Sequence, residues 1–171
     1  MSNAQPIIRT IQPSDFSKVL EINNSNVPAV SELTLEKLHY LVEHSLHALV
    51  VEHHSICGFC ITFAPDAPYE SVNYQWFQDS YSDFVYLDRI AFDSEAQGRG
   101  FGKLLYSFIE TSMSTEAPSP LCCEVNTQPP NAGSLRFHQS IGFEEVGKQQ
   151  NGGSKSVVFL IKSVNPPNSA Q

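Results

Sequence analysis

The chain has 171 residues, 41% hydrophobic and 16% charged, a composition that can bury a real core and excludes global disorder. Its net charge is −8, from 18 acidic against 10 basic side chains, opposite to the balance by which proteins track a nucleic-acid backbone. No apolar run approaches the roughly 18 residues that cross a bilayer. The opening "MSNAQPIIRT" lacks the basic-then-apolar order of a secretory signal. The expectation is a cytoplasmic protein with neither a nucleic-acid nor a membrane partner. Size argues for a single domain over residues 1–162, with a flexible tail over 163–171. Oligomeric state is not written in the pattern, and a homodimer is compatible with it.

In chain order, "PIIRTI" predicts a short strand and "QPSDFSKVLEINNSN" a helix, with Phe16, Val19, Leu20 and Ile22 on one side and Ser14 as its N-cap. "LTLEKLHYLVEHS" predicts a second helix, with Leu35, Leu38, Leu41 and Val42 at helical spacing. "HALVVEHHSICGFCITF" predicts two strands joined by a polar turn at His53–Ser55. A long irregular aromatic stretch is expected from Ala64 to about Asp83. Then come a strand "FVYLDRIAF", a glycine turn, and a helix "KLLYSFIETSM" with Leu104, Leu105, Phe108, Ile109 and Met113 on one face. A strand "LCCEVNT" and a helix "NAGSLRFHQSIGF" closed by Gly142 follow. "EEVGKQQ" and "KSVVFLIK" read as a hairpin around Asn151-Gly152-Gly153. Alternating strands and helices closed by a hairpin argue for a mixed α/β architecture around one central sheet.

The four cysteines lie in strand-like runs. Cys57 and Cys60, three apart, point to opposite faces, as do the adjacent Cys122 and Cys123. They are read as reduced packing residues. His44, His47, His53 and His54 are spread over a helix end, a strand and a turn, with no acidic partner at ligand spacing. They are read as solvated surface, and no metal is expected.

The chemistry concentrates in Gln97-Gly98-Arg99-Gly100-Phe101-Gly102-Lys103. A strand, a glycine-rich turn and a helix form a general anion cradle, because the first amides of a helix point outward and its dipole is positive there. A P-loop is excluded: its first glycine position holds Gln97, and Leu104 stands where Ser or Thr is required. The dinucleotide fingerprint fails as well, with Lys103 at its third glycine. What remains is Q-x-x-G-x-G, and with it the segment resembles the coenzyme A-binding motif of the GNAT superfamily of N-acetyltransferases. Downstream, "NTQPPNAGSLRFHQSIGF" resembles that superfamily's next strand–helix unit, and the likeness spans roughly Ile7 to Lys162.

The resemblance implies an α/β (mixed α+β) fold, a mostly antiparallel, splayed central sheet flanked by helices. It implies acetyl-CoA as cofactor and transfer of its acetyl group to a primary amine, on a small molecule or a peptide, by direct attack in a ternary complex. Carried over, Ile90, Ala91 and Phe92 offer backbone groups to the pantetheine arm. The amides of Gln97, Gly98, Arg99, Gly100, Phe101, Gly102 and Lys103 hold the pyrophosphate, with Arg99 either adding charge or simply solvated. Asn131 matches the family's cofactor-binding Asn, and Ser134 lies one helical turn on. His138 stands where the family usually has a tyrosine that protonates the departing thiolate. As a histidine, it donates to sulfur either as imidazolium or through a neutral N–H tautomer.

For the base, Glu124 and Asp88 are the candidates, with a water chain as rival and a salt bridge from Asp88 to Arg89 or Lys103 as the bland alternative. Asn126 is placed at the acceptor, and Tyr74, Trp76 and Phe77 either wall the acceptor site or cap the sheet. The His138 departure keeps a different class open, a non-catalytic acyl-CoA-binding module or sensor.

Overall fold

The computed structural model describes residues 4–113 and 119–164. Seven strands form one sheet in the order β1-β2-β3-β4-β5-β7-β6. They are β1 (Ile7–Thr10), β2 (His47–His53), β3 (Ser55–Phe63), β4 (Val85–Phe92), β5 (Ser119–Gln128), β6 (Glu144–Gln150) and β7 (Ser156–Val164). Among the described residues five α-helices accompany them: α1 (Phe16–Ser25), α2 (Leu35–His44), α3 (Val72–Ser80), α4 (Phe101–Ser112) and α5 (Ala132–Ser140). The β1–β2, β2–β3, β5–β7 and β6–β7 pairs are antiparallel, while β4 and β5 run parallel and pair at Val85–Leu121 and Tyr86–Cys122. The mixed fold with a mostly antiparallel sheet is the one expected.

The chain groups into two compact units. One takes the described residues through Phe63 together with Leu87–Phe108; the other takes Ala64–Tyr86 with the described residues from Ile109 on. In the first unit α1 lies against β3 and α2, burying Phe16, Val19 and Ile22. The β2–β3 turn places His54 at φ +68°, a left-handed conformation uncommon outside glycine. In the second unit β5 and β7 form a long ladder from Ser119–Val164 to Gln128–Ser156, and Leu121, Cys123, Phe159 and Leu160 on it are buried. The β6–β7 loop closes through the Asn151 amide to the Lys155 carbonyl at 2.9 Å, with Gly152 and Gly153 at positive φ.

Four expectations change. The stretch from Ala64 to Asp83 contains α3, capped by Ser71, whose hydroxyl accepts the Tyr74 amide at 3.4 Å. Its apolar positions, Tyr74 and Phe77, are three apart and both fully buried. Ser14 does not cap α1: it sits inside a 3-10 turn over Pro13–Asp15, and Asp15 takes the Gln12 amide and the Arg9 guanidinium instead. Leu35, Leu104 and Phe108, expected on core faces, are exposed, and Thr34 caps α2. Strand β7 includes Ser163 and Val164, the first two residues of the expected tail; the remainder, 165–171, lies outside the described residues.

All four cysteines are buried thiols outside any disulfide. Burial pushes the Cys60 thiol up to about 12 and raises Cys57 and Cys122 as well, which leaves little reactive thiolate at neutral pH.

Candidate active site

The turn between β4 and α4 is built for close approach by backbone. Gly98 and Gly100 have φ of +73° and +85°, and a Cβ built on either meets nothing within 4 Å. Glycine is therefore required by the backbone conformation, and the space beside it is open to a ligand. The Leu104 amide bonds to the Gly100 carbonyl at 3.1 Å, so the helical ladder starts there and the preceding amides point out of the helix end. Residues 97–100 are exposed, whereas the Phe101 ring is buried against His53 at 5.5 Å between ring centres. The Arg99 guanidinium lies 5.2 Å over that same ring, which holds a positive charge beside the turn.

Asn26, at the end of α1, braces this turn from behind. Its side-chain amide donates to the Phe92 carbonyl at 3.0 Å, and its Oδ1 faces Gln97 Nε2 at 3.5 Å. Phe92 is fixed on its other side by Gly58, where an added Cβ would stand 2.1 Å from the phenyl ring. The strand end that leads into the turn is thus held by a hydrogen bond and by packing.

Asp88 and Arg89 precede it. Their side chains are 5% and 4% exposed and meet at 2.6 Å. Arg89 also donates to Asn23 Oδ1 at 3.0 Å, to the Ser31 carbonyl at 3.2 Å and to the Ser31 hydroxyl at 3.2 Å. Asp88 is thus a buried counter-ion of Arg89.

In the second unit, α5 begins at Asn131, whose side-chain oxygen accepts the Ser134 amide at 3.4 Å. One turn later His138 is 3% exposed, edge-on to the Phe137 and Phe143 rings. Its Nδ1 lies 2.7 Å from the Ser134 carbonyl oxygen and 3.3 Å from the Ser134 hydroxyl. A carbonyl only accepts, so Nδ1 carries the proton and the lone pair of the neutral ring resides on Nε2. Burial holds the imidazole below its ordinary range, partly opposed by the Ser134 carbonyl.

Glu124 on β5 accepts the Tyr86 hydroxyl, whose single proton is shared between its two carboxylate oxygens at 2.8 and 3.0 Å, and the Asn73 side-chain amide at 3.0 Å. The neighbouring Asn126 receives the Asn131 amide on its backbone carbonyl at 3.0 Å.

A family model described as the acetyltransferase (GNAT) family matches residues 13–143. The chain belongs to that family. Solved structures of similar fold include the ribosomal-protein-alanine N-acetyltransferase from Brucella melitensis, at 22% identity and TM-score 0.64 over 92% of this chain and 99% of that one. A putative acetyltransferase, yncA, from Salmonella typhimurium, solved with acetyl-CoA, matches at 16% identity and TM-score 0.68 over 98% and 99%. A phosphinothricin acetyltransferase from Sinorhizobium meliloti, in complex with AcCoA, matches at 16% and 0.68 over 97% and 92%. A comparison with curated protein sequences finds no match.

Within this GNAT chain, Ile90, Ala91, Phe92 and the residues from Gln97 to Lys103 form one continuous strand–turn–helix segment. Glu124, Asn126, Asn131, Ser134 and His138 gather on β5 and α5. Two aromatics assigned to the acceptor carry structural duties. Tyr74 is fully buried; its hydroxyl donates to the Ala64 carbonyl and accepts the Ala67 amide at 3.1 Å. Trp76 stacks on Phe159 at 4.2 Å, in a space kept open by Gly147, where an added Cβ would lie 2.6 Å from the indole. Among the described residues no group of three His, Cys, Asp or Glu side chains is arranged to hold a metal ion.

Asn26, Tyr86, Asn73 and Asn151 escape sequence reasoning, as do the Asn23 and Ser31 partners of Arg89. Each acts through a partner between 2 and 78 residues away, and periodicity carries no signal for such pairs.

Proposed function

We propose that this GNAT chain is an acetyl-CoA-dependent N-acetyltransferase acting on a primary amine of a small molecule or peptide. The observation that carries the reading is the glycine turn: two left-handed glycines with open space beside them, at the amino end of α4. Bare backbone, outward amides and the helix dipole suit the two phosphates of coenzyme A. When bound, acetyl-CoA supplies an activated acyl group on a thiol leaving group. The amides from Gln97 to Lys103 would bind its pyrophosphate, and the Ile90–Phe92 backbone would orient its pantetheine arm. Asn131 and Ser134 would add polar contacts from α5, and Asn126 would lie at the acceptor. Glu124 would take the proton that the attacking amine sheds.

Expected in a thermal-shift titration is stabilisation by acetyl-CoA and by CoA, but not by NAD or ATP. Saturation at about 100 times the dissociation constant stabilises a native state by roughly 2.7 kcal/mol. A shift with ATP or NAD alone would sink the reading. A shift with CoA and no acetyl transfer to a broad amine panel would select the binding-module class instead.

The role proposed for His138, proton donation toward the departing thiolate, falls to Nε2, because Nδ1–H is committed to Ser134. Only the imidazolium can donate there. Since burial lowers its titration below the ordinary value of about 6.5, the donor form is a minority at pH 8 and grows as pH falls. His138→Phe is expected to cut turnover about a hundredfold, the lower end for a general acid, with acetyl-CoA affinity unchanged. Dividing wild-type by variant rates removes the titration of the amine. That ratio should rise from pH 8 to pH 6, and a flat ratio would reduce His138 to packing.

A further inference from the structure

We infer that Asn73 and Asn151 are positioning residues for Glu124, so that the β6–β7 loop is coupled to the reacting carboxylate through a directed chain of amides. The inference rests on the proposed role of Glu124. Its geometry is independent of that role. Gln149 Nε2 donates to Asn151 Oδ1 at 2.7 Å; Asn151 Nδ2 donates to Asn73 Oδ1 at 2.8 Å; Asn73 Nδ2 donates to Glu124 Oε1 at 3.0 Å. The direction of every amide follows from the last acceptor. An ionised carboxylate only accepts, so Asn73 must present its NH2 to Glu124 and its oxygen to Asn151, which fixes Asn151 in turn and then Gln149. Three dipoles therefore point one way, each donating toward the negative charge, an arrangement in which hydrogen bonds polarise one another.

The anchoring of each member is equally specific. Asn73 is held on α3, in the first turn after the Ser71 cap. Asn151 opens the β6–β7 loop, closed by its own amide to the Lys155 carbonyl at 2.9 Å. Tyr86 on β4 grips both carboxylate oxygens from another direction. The carboxylate is thereby held by α3 and β4 at once, and its rotamer is set before any amine arrives. A catalytic base gains from such fixation because small misplacements of the reacting atom are costly. Nothing in this chain of contacts requires Asn151 to touch substrate.

The test is a double-mutant cycle on the full-length protein, with Asn73→Ala, Asn151→Ala and the double variant, and with Glu124→Gln for comparison. Expected is a fall in kcat of about tenfold for Asn73→Ala, the loss of one hydrogen bond to a charged group, and a smaller fall for Asn151→Ala. KM for acetyl-CoA should stay within about twofold, and the double variant should be no slower than Asn73→Ala. Single effects that multiply in the double variant would overturn the relay, as would single variants with wild-type kcat beside a disabled Glu124→Gln. Wild-type activity in Glu124→Gln would overturn both the relay's catalytic meaning and the assignment of the base, while leaving acetyl transfer itself intact.

A second measurement needs no acceptor amine: the 13C carboxyl resonance of Glu124, assigned by its disappearance in Glu124→Gln. Asn151→Ala should move it in the wild-type background and leave it unmoved in the Asn73→Ala background. An Asn151→Ala spectrum identical to wild type would overturn the coupling even if the chain proves to bind acyl-CoA without transferring it.

Discussion

Gly100→Ala is expected to weaken acetyl-CoA binding by about a hundredfold while leaving the protein folded. Two costs add. A non-glycine residue at the φ of +85° found here is strained by about 1–2 kcal/mol, and the turn would relax away from its present shape. The new methyl would also stand in the open space beside the turn, where the proposed pyrophosphate must approach the amides. Losing one hydrogen bond to a charged oxygen costs about 1.5–3 kcal/mol, and about 2.8 kcal/mol in total corresponds to a hundredfold change in Kd. Gly152→Ala separates the two effects. Gly152 has a similar φ of +81° and equally open surroundings, but lies in the β6–β7 loop. It should lose comparable stability and keep its acetyl-CoA affinity. Calorimetric titration of both variants decides the matter, and a Gly100→Ala Kd within threefold of wild type would remove the turn from the phosphate site.

That prediction draws on a feature legible in the sequence. Three glycines between an apolar strand and an amphipathic helix suggest a backbone requirement; the structure gives positive φ to Gly98 and Gly100, while Gly102 lies within α4. The hairpin at Asn151-Gly152-Gly153 was legible for the same reason, as was the helix stop at Gly142, whose φ is +101°. Helix α3 was hidden because aromatic residues favour strands as well as cores, so Tyr74, Trp76 and Phe77 masked a three-residue spacing behind Ser71. Exposed Leu104 and Phe108 show the limit of periodicity: it marks an apolar stripe without saying how much of that stripe is covered.

For the site, family resemblance supplied a set of residues and composition supplied none. Neither announced that Nδ1 of His138 would be tied to the carbonyl four residues back, which decides which nitrogen can act. Nor did either announce the amide chain to Glu124, since Asn73 and Asn151 stand 78 residues apart. Directed polar contacts of this kind depend on side-chain placement to within a fraction of an ångström, and a one-dimensional pattern does not carry it.

Arg89 gives the largest expected effect on stability. Its side chain is 4% exposed, and its guanidinium spends donors on the Asp88 carboxylate, the Asn23 side chain and two oxygens of Ser31. Asn23 is itself fully buried, on α1, and its own amide donates to the Ser31 carbonyl at 3.0 Å. A single cation thus ties β4 to the end of α1 and to the connection that follows. Arg89→Met keeps much of the apolar stem and deletes the charge. It leaves the Asp88 carboxylate buried without its cation and an Asn23 oxygen without its donor.

Breaking a buried pair from one side costs about 3–5 kcal/mol, because the remaining charge stays in a poorly solvating environment. Urea denaturation should show the midpoint falling with the slope unchanged, the signature of lost stability without a change in compactness. Removing both charges, as Asp88→Leu with Arg89→Met, should recover part of that loss, since an apolar pair of similar volume can replace a buried ion pair at little cost. A single variant within 1 kcal/mol of wild type would mean that the network carries no net stability. Arg89 also immediately precedes Ile90, Ala91 and Phe92 on β4. If that backbone orients the pantetheine arm as proposed, Arg89→Met loses acetyl-CoA affinity in proportion to its instability, and the double variant recovers both together.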